Sequence, residues 1–201
     1  VVSNNEDDSF YSKLEPYLND VEEVYFAGGE SLITPEHYKI LDHWLENDNT
    51  DVRITYTTNF SVFKYKDKNV LDYWNKFKNI EIFASIDAMG ELAEYMRKGT
   101  KWSDILKNIE RIKTEVPHVK LSFTPTVSMW NVWQFPSLIA RAVNEGLIEE
   151  DNIRINILTF PWFASIYNLP QDIKWGLHNE YKKIQEDLKY SSHIRNSFGS
   201  I

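Results

Sequence analysis

Cysteine is missing altogether from the 201 residues of the chain. That excludes disulfides, zinc–thiolate centres and thiol nucleophiles from the chain's own chemistry. Apolar runs are short as well. None approaches the roughly 20 residues of a membrane span, and no basic, apolar signal segment opens the chain, which sets the expectation of a cytoplasmic protein with no membrane partner. Positive charge is scarce: 22 Lys and Arg stand against 30 Asp and Glu, for a net charge of −8. An acidic surface repels phosphate backbones and argues against nucleic acid as a partner. Gly-x-Gly-x-x-Gly and P-loop motifs are absent, and so is Gly-x-Ser-x-Gly. The five histidines, His37, His43, His118, His178 and His193, lack any metal-ligating spacing. His37 and His43 fall on an expected helix and read as core or surface residues. The chain begins Val1-Val2 rather than with Met, which reads as a trimmed piece of something longer.

Apolar residues make up 42% of the chain, enough for the core of one large domain over residues 1–201. Short β-rich runs alternate with helical periods. Helices are expected over 9–18, from Pro35 behind a Thr34 cap, over 70–77, over 102–116 behind a Ser103 cap, over 136–144 up to Gly146, and over 173–188. Strands are expected over 24–27, as a buried strand, and over 52–58, 80–86, 119–127 and 153–158. Strict alternation implies an α/β fold with a parallel sheet and right-handed crossovers, either doubly wound or a full or partial (β/α) barrel. Residues 161–201 are expected to form a C-terminal helical segment.

In both architectures ligands meet the C-terminal ends of the strands. The stretch Val24-Tyr25-Phe26-Ala27-Gly28-Gly29-Glu30-Ser31 ends a strand on two glycines and a carboxylate. Glycines there let a ligand approach the backbone, and Glu30 suits an ammonium group; a tight turn with a solvated Glu accounts for the same tripeptide. The other strands run out into Thr57-Thr58-Asn59, Ser85-Ile86-Asp87 and Thr124 to Asn131. Four polar ends on one edge favour a pocket for a polar small molecule. Arg97 offers a planar fork for a carboxylate. Phe160-Pro161-Trp162-Phe163, after the last strand, is unusually aromatic and suits pocket cover, a peptide or core packing.

These segments, in this order, resemble the radical S-adenosylmethionine superfamily, and within it the branch with SPASM or twitch extensions. The segments are YFAGGESLI, TYTTNFS and FASIDAMGELAEYMRKGTKWSDILKNIERI, and the likeness covers about residues 20 to 160. The family's Gly-Gly-Glu-Pro is here Gly28-Gly29-Glu30-Ser31, and its Thr-Asn-Gly is Thr58-Asn59-Phe60. Ser85-Ile86-Asp87-Ala88, Arg97-Lys98-Gly99 and Trp102 follow the pattern closely. The resemblance implies a partial, TIM-like (β/α) barrel that binds S-adenosylmethionine (SAM). Gly28, Gly29, Glu30 and neighbouring Ser31 would meet the SAM ammonium. Ser85 and Asp87 would lie near the ribose, Arg97 at the carboxylate, and Asn59, Asn131 and the backbone at Leu158 would complete the pocket. It also implies a [4Fe–4S] cluster on three cysteines after a first barrel strand. Such ligands are thiolates, and this chain has none, so strand and cluster loop are expected upstream of Val1, in the full-length parent. The parent would abstract hydrogen from a peptide, an RNA base or a small metabolite, and this chain alone would be inactive. The alternative is a non-catalytic SAM- or nucleotide-binding barrel, paired with a second copy through the exposed sheet edge. A phosphate- or sugar-metabolising barrel ranks last, because residues 159–165 carry no glycine for a phosphate loop.

Overall fold

The computed structural model describes residues 9–28 and 30–187. Gly29 lies outside the described residues, as do Leu188 at the end of the expected last helix and the rest of 188–201. In chain order the elements are α1 (Ser9–Leu14), β1 (Glu23–Phe26), α2 (Pro35–Glu46), β2 (Arg53–Thr58), β3 (Lys64–Tyr65), β4 (Lys68–Asn69), α3 (Val70–Trp74), β5 (Asn79–Ala84), α4 (Gly90–Met96), α5 (Trp102–Glu115), β6 (Lys120–Phe123), β7 (Thr126–Val127), α6 (Phe135–Asn144), β8 (Asn156–Ile157) and α7 (Gln171–Asp187). A parallel sheet runs in the order β1-β2-β5-β6, and β7 pairs with β8, making a partial β/α barrel. The sequence reads as one domain. In the structure, 9–83 with 107–121 form one compact unit and 84–106 with 122–187 another.

In the first unit, Pro16 has no N–H to donate and interrupts the expected helix over 9–18. The chain continues instead as a 3-10 turn, Glu15–Asp20. The indole of Trp44 donates to Leu18 O at 2.8 Å and ties this segment to α2. Pro35 opens α2 as read, but the Thr34 hydroxyl donates to Ser31 O at 2.9 Å rather than capping the helix. The buried face of α2 is His37, Tyr38, Ile40, Leu41 and Trp44. His37 Nε2 lies 2.9 Å from the Tyr56 hydroxyl, and Nδ1 has no hydrogen-bond partner. Burial, with Lys68 adding to it, pushes the imidazole down to about 3, so it is neutral in the fold.

Strands β2 and β5 bury every second residue: Ile54, Tyr56 and Thr58 in one, Ile80, Ile82 and Ala84 in the other. β1 departs from expectation. Among the described residues it pairs only with β2, Val24 opposite Ile54, and Tyr25 is 59% exposed. It is an edge strand, not a buried one. A β3–β4 hairpin not foreseen from sequence turns through Lys66 at φ 54°. α3 is shorter than read, yet Val70, Leu71, Trp74 and Phe77 are all buried. α5 starts at Trp102, one residue before the expected Ser103 cap.

In the second unit the expected strand over 119–127 is broken. Pro125 has no N–H for a ladder, and Thr124 N–H donates to Ala84 O at 2.9 Å. Beyond the break, Thr126 faces Asn156 and Val127 faces Ile157. The expected strand over 153–158 shrinks to β8 and a bridge from Ile153 to Phe123. Gly146, at φ 63°, follows α6 as read. Among the described residues no helix is long and apolar enough to cross a membrane.

Candidate functional site

The strand ends form two polar clusters, one in each unit. In the first, Gly28 turns the chain out of β1 at φ 85°, in the left-handed region that favours glycine. Glu30 then returns to the end of β2. Thr58 Oγ1 donates to its Oε1 at 2.8 Å, and the Asn59 N–H donates to Oε2 at 3.0 Å. Asn59 Oδ1 accepts from the Ser61 N–H at 3.0 Å and from its hydroxyl at 2.5 Å. The carboxylate thus braces the β2 loop while holding a negative charge at the strand end. Phe60, at φ 62°, occupies the left-handed position of this loop, and Asn108 Nδ2 donates to its carbonyl at 3.0 Å. Ser31 Oγ is buried and has no hydrogen-bond partner among the described residues.

In the second unit, Asp87 leaves the end of β5 and is 9% exposed. Its Oδ2 accepts from Arg97 Nε at 2.9 Å and Nη2 at 2.6 Å; its Oδ1 accepts the Thr126 N–H at 2.8 Å. Asn131 is fully buried. Its Nδ2 donates to Asp87 O at 2.7 Å and Thr126 O at 2.9 Å, and its Oδ1 accepts from Ser128 N at 2.7 Å and Ser128 Oγ at 3.1 Å. One amide therefore fastens the ends of β5 and β7 and the loop that follows. In front of it opens a cavity of about 630 Å³, lined by Asp87, Tyr95, Met96, Arg97, Thr126, Ser128, Trp130 and Leu158. That volume lies within the range of small-molecule sites, roughly 300–1,000 Å³.

This cavity brings together three of the sequence-derived site residues: Asp87, Arg97 and Leu158. The Leu158 amide is engaged by Val127 O at 2.8 Å. Asn131 stands behind the lining and acts on it through Ser128 and Thr126. Ser85 opens onto a separate crevice of about 10 Å³ beside Asp87 and Arg97, room for about one water molecule. Sequence reasoning singled out the stretches 91–99 and 124–131 but did not assign Tyr95, Met96, Thr126, Ser128 or Trp130. For two of them the signal was an aromatic residue in a polar stretch after a strand: Tyr95 on α4 is 78% exposed and Trp130 46%.

No family model matches the sequence, and no curated protein matches it. Solved structures do. Native anSMEcpe with bound AdoMet and Cp18Cys peptide superimposes at a TM-score of 0.59 and 17% identity, over 90% of this chain and 52% of that one. Streptococcus suis SuiB bound to S-adenosylmethionine does so at 0.56 and 14% identity, over 88% of this chain and 39% of that one. The chain thus spans about half the length of the first protein and less of the second. The class this defines is one of fold: a β/α barrel shared with proteins solved with AdoMet.

Proposed function

We propose that this chain is the greater part of a radical SAM catalytic barrel of the SPASM or twitch type and binds S-adenosylmethionine. The observation that carries the reading is the cavity in the second unit. It presents the guanidinium of Arg97, the hydroxyls of Thr126 and Ser128 and the aromatic rings of Tyr95 and Trp130, in a fold shared with AdoMet-bound proteins. Those donors fit SAM. Arg97 would meet its carboxylate, Thr126 and Ser128 its polar groups, and Tyr95 and Trp130 its apolar surface. Ser85 and Asp87 are assigned to the ribose from the resemblance alone. In the first unit Glu30 is proposed as an ammonium acceptor; Gly28, Gly29, Ser31 and Asn59 are assigned to SAM binding from the resemblance alone. When bound, SAM supplies an adenosyl group for radical chemistry; these residues bind and orient it.

A [4Fe–4S] cluster does not fit this chain, which has no cysteine. Its cysteine ligands are proposed to belong to a longer parent protein. The substrate is proposed to be a peptide or small molecule. Phe160, Trp162 and Phe163 are exposed, beside a segment tied in by Met129 N–H to Ala164 O at 2.9 Å, and suit an apolar part of it. The lack of cysteine equally favours a second reading: a barrel that binds SAM without cleaving it, paired with another copy along β1.

Calorimetric titration of the chain with SAM tests the binding. Arg97→Ala and Glu30→Gln should each weaken it by about tenfold, the equivalent of about 1.4 kcal/mol; unchanged affinity in both removes the assignment. Sequencing the gene upstream of the Val1 codon then separates the two readings. An in-frame Cys-x3-Cys-x2-Cys supports the catalytic one, and a start codon there supports the binding protein.

A further inference from the structure

We infer that Asp87 sets the ligand specificity of the cavity in the second unit, reserving Arg97 for a single carboxylate and turning phosphate esters away. The inference rests on the proposed SAM site and names what that site rejects. Among the described residues, Asp87 and Arg97 are the only charged ones in the cavity lining, and they are in contact. Two of the five guanidinium N–H donors are committed to Asp87 Oδ2, at 2.9 and 2.6 Å.

The carboxylate that holds them cannot swing aside. Its other oxygen accepts the Thr126 amide at 2.8 Å, and its own carbonyl accepts from the buried Asn131 at 2.7 Å. The Asp87 carboxyl group is nearly buried, with 10% of its side chain exposed, whereas Arg97 keeps 33% of its side chain exposed. A ligand therefore meets a cation whose charge is already balanced by a fixed anion in the same cavity wall. A carboxylate adds one charge and completes a three-group arrangement. A phosphate ester or diphosphate brings more than one charge toward Asp87, and like charges held close in a partly desolvated site oppose binding. The chain's net charge of −8 acts in the same direction.

The test is isothermal titration calorimetry of the whole chain with SAM and with ADP, for the unaltered protein, Asp87→Asn and Arg97→Lys. Circular dichroism checks that each is folded. The unaltered protein should prefer SAM by about tenfold or more, a difference of about 1.4 kcal/mol. Asp87→Asn keeps the shape and an acceptor for Thr126 but removes the balancing charge. It should narrow the preference by about tenfold, chiefly by tightening ADP. Arg97→Lys keeps the paired charges and loses the fork, so SAM should bind more weakly at an unchanged ratio. A folded Asp87→Asn with the original ratio overturns the inference. So does an Arg97→Lys protein that loses the preference, which decides the matter even where Asp87→Asn does not fold. Equal affinity of the unaltered chain for both ligands also overturns it. If the unaltered chain binds no SAM, the proposed function fails and takes this inference with it.

Discussion

Phe60 shows how a single residue can satisfy two opposed demands. Its φ of 62° is a conformation that glycine adopts freely, and a bulky side chain there costs on the order of 1–3 kcal/mol. Its ring is fully buried and meets Phe63 edge-on at 4.9 Å between centroids. Removing a buried phenyl costs about 3–5 kcal/mol, so packing outweighs strain. Phe60→Gly should lower stability by about 2 kcal/mol in urea unfolding; a more stable variant would show that the ring is not what keeps Phe there. His37 gives a pH dependence whose sign is fixed. Its folded pKa is about 3 against 6.5 for the free side chain. Between those values the unfolded chain binds the extra proton. The stability from neutral His37 is therefore complete above about pH 6.5 and is lost progressively toward pH 3, by up to several kcal/mol. His37→Gln should flatten that slope in urea midpoints measured from pH 7 to pH 4. Asn131→Ala strips four hydrogen bonds from buried or half-buried partners. It should cost about 2–4 kcal/mol and weaken SAM binding as well, since the groups it holds line the cavity.

Helices and strands were legible where one period dominates. β2 and β5 alternate through β-branched and apolar residues, and α5 repeats its Ile stripe at helical spacing, with Ile105, Ile109 and Ile112 buried. Less legible were features set by partners distant in sequence. The exposure of β1 depends on what pairs with it, not on its apolar letters. The start of α5 depends on Glu94, whose Oε1 accepts the Trp102 N–H at 3.1 Å from eight residues upstream. That contact does the work assigned to Ser103. Glu94→Ala should therefore lower stability by about 0.5–2 kcal/mol, the usual value of an N-terminal cap, while Ser103→Ala should change it by a few tenths at most. Thermal melts of the two variants decide between them. The candidate site was legible in part for the same reason. Asp87 and Arg97 could be named from their positions at a strand end and after a short helix. Their mutual pairing could not, because it depends on the path α4 takes between them. Pro125 was visible in the sequence all along, yet the β-branched letters on both sides outweighed it.

At the scale of the whole molecule, the described residues of the 201-residue chain form two compact units, and the chain spans about half of a longer solved protein of like fold. A ligand that binds only the native state stabilises it by mass action. Saturation at one hundred times the dissociation constant adds about 2.7 kcal/mol, and for a chain of this size each kcal/mol moves the melting temperature by roughly 2–4 °C. SAM at that excess should thus raise the melting temperature by about 5–11 °C, and Arg97→Ala should reduce the rise. A melting curve indifferent to SAM would count against the binding reading without reference to any single residue.

Gly28 carries a consequence of a different kind. A methyl group built on it would meet nothing within 4 Å, so the fold itself leaves room for a Cβ there. Within the fold the restriction comes from its φ of 85°, which costs an ordinary L-residue about 1–2 kcal/mol. Among natural versions of this protein, the position should therefore drift only between glycine and the few residues that tolerate a left-handed backbone, asparagine and aspartate first. A valine or isoleucine at that site in a working relative would mean that the turn after β1 follows another path there.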